Sequence, residues 1–199
     1  TTARRAGARK DAPRARAPAR RQRSEPRSCR ASVLKRVSSG AQSGSAGASM
    51  AILAPYAHSY VRLHRPDASP ASVEWGYDNR TAAFRVPHSD PANRRVEHRL
   101  PGGDANPYLS LALMLGAGLA GMQQQIEPGP EVSDRPAVSE RGALPADLHE
   151  ALVELQACPI MTEVFGAPFI ELYNMIKQHE LDEQAADADF AIKHLLSRS

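Results

Sequence analysis

The sequence predicts an α+β fold in which short antiparallel strands are followed by helices and preceded by a disordered basic arm. Between residues 72 and 100, short runs rich in β-branched and aromatic groups stand between turn signals, as is typical of strands. From residue 107 onward, long apolar stretches with helix-start signals predict helices. The first 49 residues contain almost no large apolar group, so they lack the material for a core.

The arm, residues 1–49, has a different composition from the rest of the chain. Residues 1–48 contain 13 of the 25 Lys and Arg residues but only two of the 22 acidic residues, which leaves the remainder with a net charge of −8. Without aromatic groups the arm cannot offset its chain entropy, and we predict disorder. Three interpretations stay open: nonspecific attraction to nucleic acid, an Arg-rich transit peptide, or a solvated tail outside the folded domain, residues 50–199.

Composition excludes several classes of protein. The sequence contains no run of about 18 apolar residues, so a membrane-spanning helix is not expected. Two cysteines, Cys29 and Cys158, are too few for a disulfide-rich scaffold or a four-cysteine zinc site. A reducing, cytoplasmic setting is therefore the expectation.

Three strands are predicted in the region that follows. They are Ser72 to Gly76, Thr81 to Val86, and Arg94 to Leu100, with a turn at Asp78-Asn79-Arg80 after the first. The last two are expected to pair antiparallel as a hairpin.

The carboxyl-terminal part is predicted to be helical. Asn106 followed by Pro107 is a strong helix start, and the helix is expected to run from Pro107 to Ile126 as a buried element, since its leucines surround most of the axis. A proline-bearing linker, 128–145, precedes two further helices. We expect these at Ala146 to Cys158 and at Pro168 to Leu196, the second broken near Asp187.

The candidate chemistry is concentrated in an arginine-rich window. Between residues 62 and 99 the chain has no lysine but seven arginines, at positions 62, 65, 80, 85, 94, 95 and 99. Side chains alternate along a strand, so Arg95, Glu97 and Arg99 are expected to share one face, on which Arg85 from the neighbouring strand can converge. Guanidinium groups bind phosphate and carboxylate oxygens in pairs, which suits a substrate with several anionic groups. The alternative is a surface ladder in which Glu97 merely neutralises Arg95 and Arg99.

Four blocks of sequence resemble the carboxyl-terminal half of the glutamine synthetase catalytic domain, most closely its γ-glutamylpolyamine (γ-glutamylputrescine) synthetase branch. They are HSYVRL at 58–63, WGYDNRTAAFRV at 75–86, RRVEHR at 94–99 and DANPYL at 104–109. The resemblance covers residues 51–177 and implies a ligase that uses ATP and Mg²⁺ or Mn²⁺. Such a ligase joins ammonia or a polyamine to the side-chain carboxylate of glutamate, and family members form homo-oligomeric stacked rings.

The resemblance also implies roles for single residues. Arg62 and Arg99 correspond to arginines that bind the carboxylates of glutamate, and Arg80 to one beside the phosphoryl group in transfer. Arg85 and Arg95 correspond to arginines on the ATP phosphates, and Glu97 to a carboxylate ligand of the divalent ion.

The chain also departs from the family pattern. The amino-terminal β-grasp domain, the Glu-x-Glu metal ligands and the histidine ligand have no counterpart here, and His58 stands where the family usually has Asn. We therefore expect a fragment that is inactive alone. The alternative is a noncatalytic half-domain that binds nucleic acid through its arm, the less favoured partner, or intact ligase subunits through its core.

Overall fold

The computed structural model describes residues 45–63, 69–70, 72–90, 93–133, 144–187, 189–190 and 193. Within these ranges the predicted α+β class is confirmed. The helices are α1 (Ala46–Leu53), α2 (Ser59–Leu63), α3 (Pro107–Gln123), α4 (Leu148–Ala157), α5 (Pro159–Phe165) and α6 (Ala167–Ala186), and the strands are β1 (Trp75–Tyr77), β2 (Phe84–Val86) and β3 (Glu97–His98).

Helix α1 lies at the centre of the core. All eight of its residues are buried, and it packs mainly against α4. Its central apolar side chains meet Leu148, Leu152 and Leu155 in the principal hydrophobic cluster. Burial on every side explains why α1 shows no amphipathic pattern that would predict a helix.

The predicted arm overlaps this helix at one end. Ser45 precedes α1, and residues 46–49 belong to α1, so these five residues of the predicted arm are buried in the fold. Positions 1–44 lie outside the described residues, and their disorder stays a prediction.

The sheet is mixed, with strand order β1-β2-β3. Strands β2 and β3 pair antiparallel as predicted, with Phe84 opposite His98 and Arg85 opposite Glu97. The expectation of a wholly antiparallel sheet needs correction, because β1 and β2 are parallel, with Trp75 opposite Phe84. A parallel pair usually needs a crossover of about a dozen residues, but here residues 78–83 return the chain to the start of β1.

The predicted turn at residues 78–80 makes this return possible. Asp78 has a φ of 48°, a left-handed conformation that Asp tolerates better than most residues. The side chain of Asn79 accepts hydrogen bonds from the backbone N–H and the hydroxyl of Thr81, at 2.8 and 2.7 Å. This local Asx turn folds the loop back on itself.

Part of the predicted linker lies against the free side of β1. The Trp75 indole Nε1 donates to the carbonyl of Gly129 at 2.8 Å, and the Val132 N–H donates to the carbonyl of Trp75 at 3.0 Å. These contacts cover the β1 edge of the sheet. Residues 134–143 of the linker are outside the described part of the chain.

Helix α3 begins where the sequence predicts. The Asn106 side chain accepts from the N–H groups of Tyr108 and Leu109, with Pro107 at the first helical position. Its prediction as a buried helix is correct for one face only. The buried face includes Leu113 and Ala117, whereas the opposite face exposes four large residues, Tyr108, Leu111, Leu115 and Leu119. The leucine pattern gave no sign that this face lacks a neighbour within the described residues.

The last helices agree in part with the sequence. Helix α4 lies inside the predicted range, and α6 ends with Asp187 as its cap, at the predicted break. The short helix α5 was not predicted. Gly166, with a φ of 83°, separates α5 from α6 in a conformation that glycine adopts without strain.

Candidate anion-binding site

The sheet brings Arg85, Arg95 and Glu97 into direct contact. Arg85 Nη1 donates to Glu97 Oε2 at 2.8 Å, and Arg95 Nη2 donates to Glu97 Oε1 at 3.1 Å. The Arg85–Glu97 contact follows from the register, because these residues are directly opposite on β2 and β3. One carboxylate therefore bridges two guanidinium groups.

Glu97 is held in its ionised form. The hydrogen bond from Arg85 and the charges of Arg85 and Arg95 lower the pKa of the Glu97 carboxyl against the opposing effect of burial. The same hydrogen bond raises the pKa of Arg85. Arg95 remains more than half exposed, so one of the two guanidinium groups stays open to solvent.

A second carboxylate, Asp78, orients Arg85 from the other side. Arg85 Nη2 donates to Asp78 Oδ1 at 3.0 Å, and the His88 N–H donates to the same oxygen at 3.3 Å. The pKa of Asp78 is lowered by the His88 backbone N–H and by the Arg85 guanidinium. The buried Nε of Arg85 has no hydrogen-bond partner among the described residues.

Arg62, Arg80, Arg85 and Arg99 form one positively charged cluster. Burial lowers the pKa of Arg99, and the charges of Arg85, Arg80 and Arg62 lower it further, while Glu97 opposes them. Arg62 comes from α2, Arg80 from the exposed turn after β1, and Arg99 from the end of β3. Like charges repel one another, and a bound anion would offset this repulsion, which makes the cluster a candidate anion-binding site.

The arrangement differs in one respect from the predicted alternation. Glu97 was expected between Arg95 and Arg99, but it pairs with Arg95 and Arg85. Arg99 is less than half exposed, and the charge of Glu97 acts on it as well. Arg85 pairs with Glu97 because it lies directly opposite on β2, whereas Arg99 follows the last residue of β3.

The described residues do not form a metal site. No group of three or more His, Cys, Asp or Glu side chains converges in them, and Glu97 is engaged by two arginines. Magnesium or manganese takes several oxygen ligands. Glu97 alone does not meet that need.

His98 lies on the opposite face of β3 as a packing residue, as its position in the strand predicts. Its ring stacks on Phe84 with centroids 4.6 Å apart. Both ring nitrogens are shielded and have no hydrogen-bond partner among the described residues. Burial lowers the pKa of His98 to about 4.

Two acidic residues near the arginines were not predicted as part of the site. Asp78 had been interpreted only as a turn residue, although its position one residue after β1 gives it access to the parallel β2. Asp104 accepts a hydrogen bond from Ser59 Oγ, a contact over 45 residues that no local pattern reveals.

Comparison with known proteins shows the family of the chain. Residues 24–192 match the family model for the catalytic domain of glutamine synthetase. The chain therefore belongs to the glutamine synthetase family. The matched range begins inside the predicted arm, upstream of the first described residue.

Relatives of known name are similar over two thirds or more of this chain. It is 36% identical over 145 residues to glutamine synthetase of Methanosarcina mazei, covering 68% of this chain and 32% of the relative. Identity is 33% to γ-glutamylethanolamide synthetase GlnA4 of Streptomyces coelicolor and 35% to γ-glutamylputrescine synthetase PuuA of Escherichia coli. These two matches cover 74% and 67% of this chain but 32% and 28% of the relatives. The chain thus spans about a third of the length of these curated relatives.

Solved structures show the same fold. GmaS without ligand superposes with a TM-score of 0.68 and 29% identity, over 82% of this chain and 38% of GmaS. A complex of GmaS with ADP gives a TM-score of 0.68 and 28% identity, over 81% of this chain and 39% of the other. Among the described residues, none of the helices is long and apolar enough to cross a membrane.

Proposed function

We propose that this chain supplies the anion-binding part of an ATP-dependent ligase. The ligase joins ammonia or a primary amine to the γ-carboxylate of glutamate. The observation that carries the proposal is that guanidinium groups from four separate parts of the chain act on one another, with one of them paired to Glu97. The similar proteins from Methanosarcina, Streptomyces and Escherichia, named for glutamine or γ-glutamyl products, support it.

The proposed roles are those that the resemblance to the glutamine synthetase family implies for each position. Arg62 and Arg99, next to one another through Leu100, bind the carboxylates of glutamate. Arg85 and Arg95, which flank Glu97, bind the phosphates of ATP. Arg80 on the exposed turn lies beside the phosphoryl group in transfer.

The reaction has two steps. An oxygen of the glutamate side-chain carboxylate attacks the terminal phosphorus of ATP, and the bond to ADP breaks, which gives γ-glutamyl phosphate. The nitrogen of ammonia or the amine then attacks the acyl carbon, phosphate leaves, and the nitrogen loses a proton. Positioned arginines disperse the negative charge that develops during phosphoryl transfer. Glu97 is proposed as one ligand of Mg²⁺ or Mn²⁺, with the further ligands supplied from outside the described residues.

We expect no ligation by this chain alone. The described residues hold two carboxylates at the arginines, Glu97 and Asp78, and no complete metal site, whereas ordered transfer needs a fully assembled charge environment. The test is an assay of ATP-dependent γ-glutamyl amide formation with ammonia and with putrescine. If the purified chain turned over at a rate near that of the Escherichia or Streptomyces relative, the expectation that it is inactive alone would be wrong.

A noncatalytic binding role is the second candidate, and helix α3 favours one form of it. Tyr108, Leu111, Leu115 and Leu119 recur at helical spacing on the exposed face of a helix with no charged residue. Exposed apolar stripes of this kind mark contact surfaces. Such a surface fits association with intact ligase subunits. The family resemblance implies that these subunits assemble as homo-oligomers.

Ligand-induced stabilisation separates the candidates. If the arginines bind nucleotide, ATP raises the melting temperature, and Arg95→Ala abolishes the rise. Arg94→Ala is the matched control, since strand alternation places Arg94 off the Glu97 face. Retention on DNA that falls with salt and disappears when residues 1–48 are deleted, with no response to ATP, would instead favour nucleic-acid binding.

A further inference from the structure

The contact between α2 and the segment after β3 brings Arg62 next to the chain that follows Arg99. Arg62 Nη2 donates to the carbonyl of Leu100 at 2.6 Å. Deeper in the fold, the Gly102 N–H donates to the carbonyl of Leu53 at 2.9 Å. Two backbone carbonyls therefore connect segments that are about forty and about fifty residues apart in the chain.

The Asp104 side chain makes further contacts between the start of α2 and the segment after β3. Ser59 Oγ, at the start of α2, donates to Asp104 Oδ2 and accepts from the Tyr56 N–H at 3.2 Å. His58 Nε2 lies 3.8 Å from the same Asp104 oxygen. The carboxylate thus contacts Ser59, the first residue of α2, and His58, which precedes the helix.

The surroundings fix the carboxylate in this place. Ser59 is 5% exposed, so its hydroxyl has little access to water and depends on protein partners. Gly102 leaves room for Asp104, because a Cβ at that glycine would collide with Asp104 Oδ1. The His58 ring is in turn stacked on Tyr56, with the centroids 5.4 Å apart.

Ser59 and Asp104 each lie close along the chain to one arginine of the pair assigned to glutamate. Ser59 precedes Arg62 by three residues, which places both on one side of α2. Asp104 follows Arg99 by five residues in the segment between β3 and α3. The hydrogen bond between Ser59 and Asp104 therefore joins the helix that carries Arg62 to the segment that follows Arg99.

We propose that Asp104 is a positioning residue for the glutamate-binding pair, holding α2 against the segment after β3 through Ser59 and His58. This rests on the proposed function, since the pair is assigned there to the carboxylates of glutamate. Asp104 acts through Arg62 and does not itself contact the substrate. Arg85 and Arg95 are held by Glu97 and Asp78 instead, so nucleotide binding is independent of Asp104.

The test compares two ligands on one set of variants. Dissociation constants of L-glutamate and of ATP are measured by calorimetry for the full chain and for Asp104→Ala, Asp104→Asn and Ser59→Ala. Asp182→Ala, on an exposed position of α6, is the matched control. Loss of a hydrogen bond to a charged group predicts that Asp104→Ala and Ser59→Ala weaken glutamate binding about tenfold. ATP binding stays within about twofold, as expected for a separate group of contacts.

Asp104→Asn keeps an oxygen that accepts from Ser59, and it should restore most of the affinity for glutamate. A merely structural role predicts equal losses for both ligands, and that result would overturn the proposal. Unchanged glutamate affinity in Asp104→Ala would do the same.

A second measurement distinguishes this proposal from the function on which it rests. The side-chain Nε–H signal of Arg62 is followed by NMR in the ligand-free chain. If the wild-type chain binds no glutamate, the function is wrong, whereas a loss of Arg62 order in Asp104→Ala still supports the positioning role. An Arg62 signal that is the same in both proteins contradicts it.

Discussion

The helical layer and the arginine-bearing sheet differ in what holds them together. Helices α1 and α4 pack through fully buried side chains such as Ile52, Leu53 and Leu155. The sheet has strands of only three, three and two residues, and its functional face is joined by ion pairs between Arg85, Glu97 and Arg95. Apolar burial contributes far more to stability than partly exposed ion pairs. We therefore expect stability to reside mainly in the helices, and the proposed ligand recognition lies in the sheet.

The largest expected effect is on the helical side. Leu155→Ala removes a side chain with no exposure, and the cavity should lower the free energy of unfolding by about 2–5 kcal/mol. Urea denaturation measures the loss. Val153→Ala on the exposed side of the same helix is the control, with an expected change below about 0.5 kcal/mol. Equal losses in both variants would show that α4 does not carry the core.

Next comes His98, where the sheet contacts the apolar core. Its pKa falls from 6.5 to about 4 on folding, so the unfolded chain binds more protons between these values. The contribution of His98 to the free energy of unfolding is therefore fully present above pH 6.5 and is lost as the pH falls toward 4. The shift corresponds to about 3 kcal/mol.

Urea midpoints between pH 4 and 7 measure this dependence. His98→Phe should reduce its slope, and His149→Gln, on an exposed position of α4, should leave it unchanged. An identical pH profile in His98→Phe and the wild-type chain would contradict the burial of a neutral imidazole.

A smaller effect is expected where α3 lacks a cover. Leu115 is 73% exposed, so Leu115→Lys should change the free energy of unfolding by less than about 0.5 kcal/mol. It should nevertheless reduce self-association in sedimentation velocity, because a charge interrupts the apolar stripe. Glu127→Lys, beyond the end of α3, controls for added charge. If Leu115→Lys left self-association unchanged, the exposed apolar face of α3 would not be a contact surface.

The smallest effect tests the neutralising role of Glu97. Glu97→Gln removes the negative charge between Arg85 and Arg95, so ATP binding without added metal should strengthen by about two- to fivefold. Glu131→Gln serves as the control, since its side-chain contact is with the Tyr77 N–H at 3.4 Å, away from the arginines. Weaker ATP binding in Glu97→Gln would mean that Glu97 organises the arginines more than it neutralises them.

The same comparison explains how far sequence reasoning reached. Asn106-Pro107 predicted the start of α3, and strand alternation predicted the shared face of Arg95 and Glu97, because both signals act over a few residues. Helix α1 was missed because burial on all sides removes its amphipathic period. The parallel β1–β2 pair and the Ser59–Asp104 contact depend on residues that are distant along the chain or on a single turn, and local patterns contain no information about them.

The central claim is that guanidinium groups on the sheet bind ATP through their paired donors. The direct measurement is calorimetric titration of ATP into the wild-type chain, Arg85→Ala and Arg85→Lys. We predict that both variants bind at least about tenfold more weakly, because a lysine keeps the charge but not the planar pair of donors. Wild-type affinity in Arg85→Ala would contradict the claim.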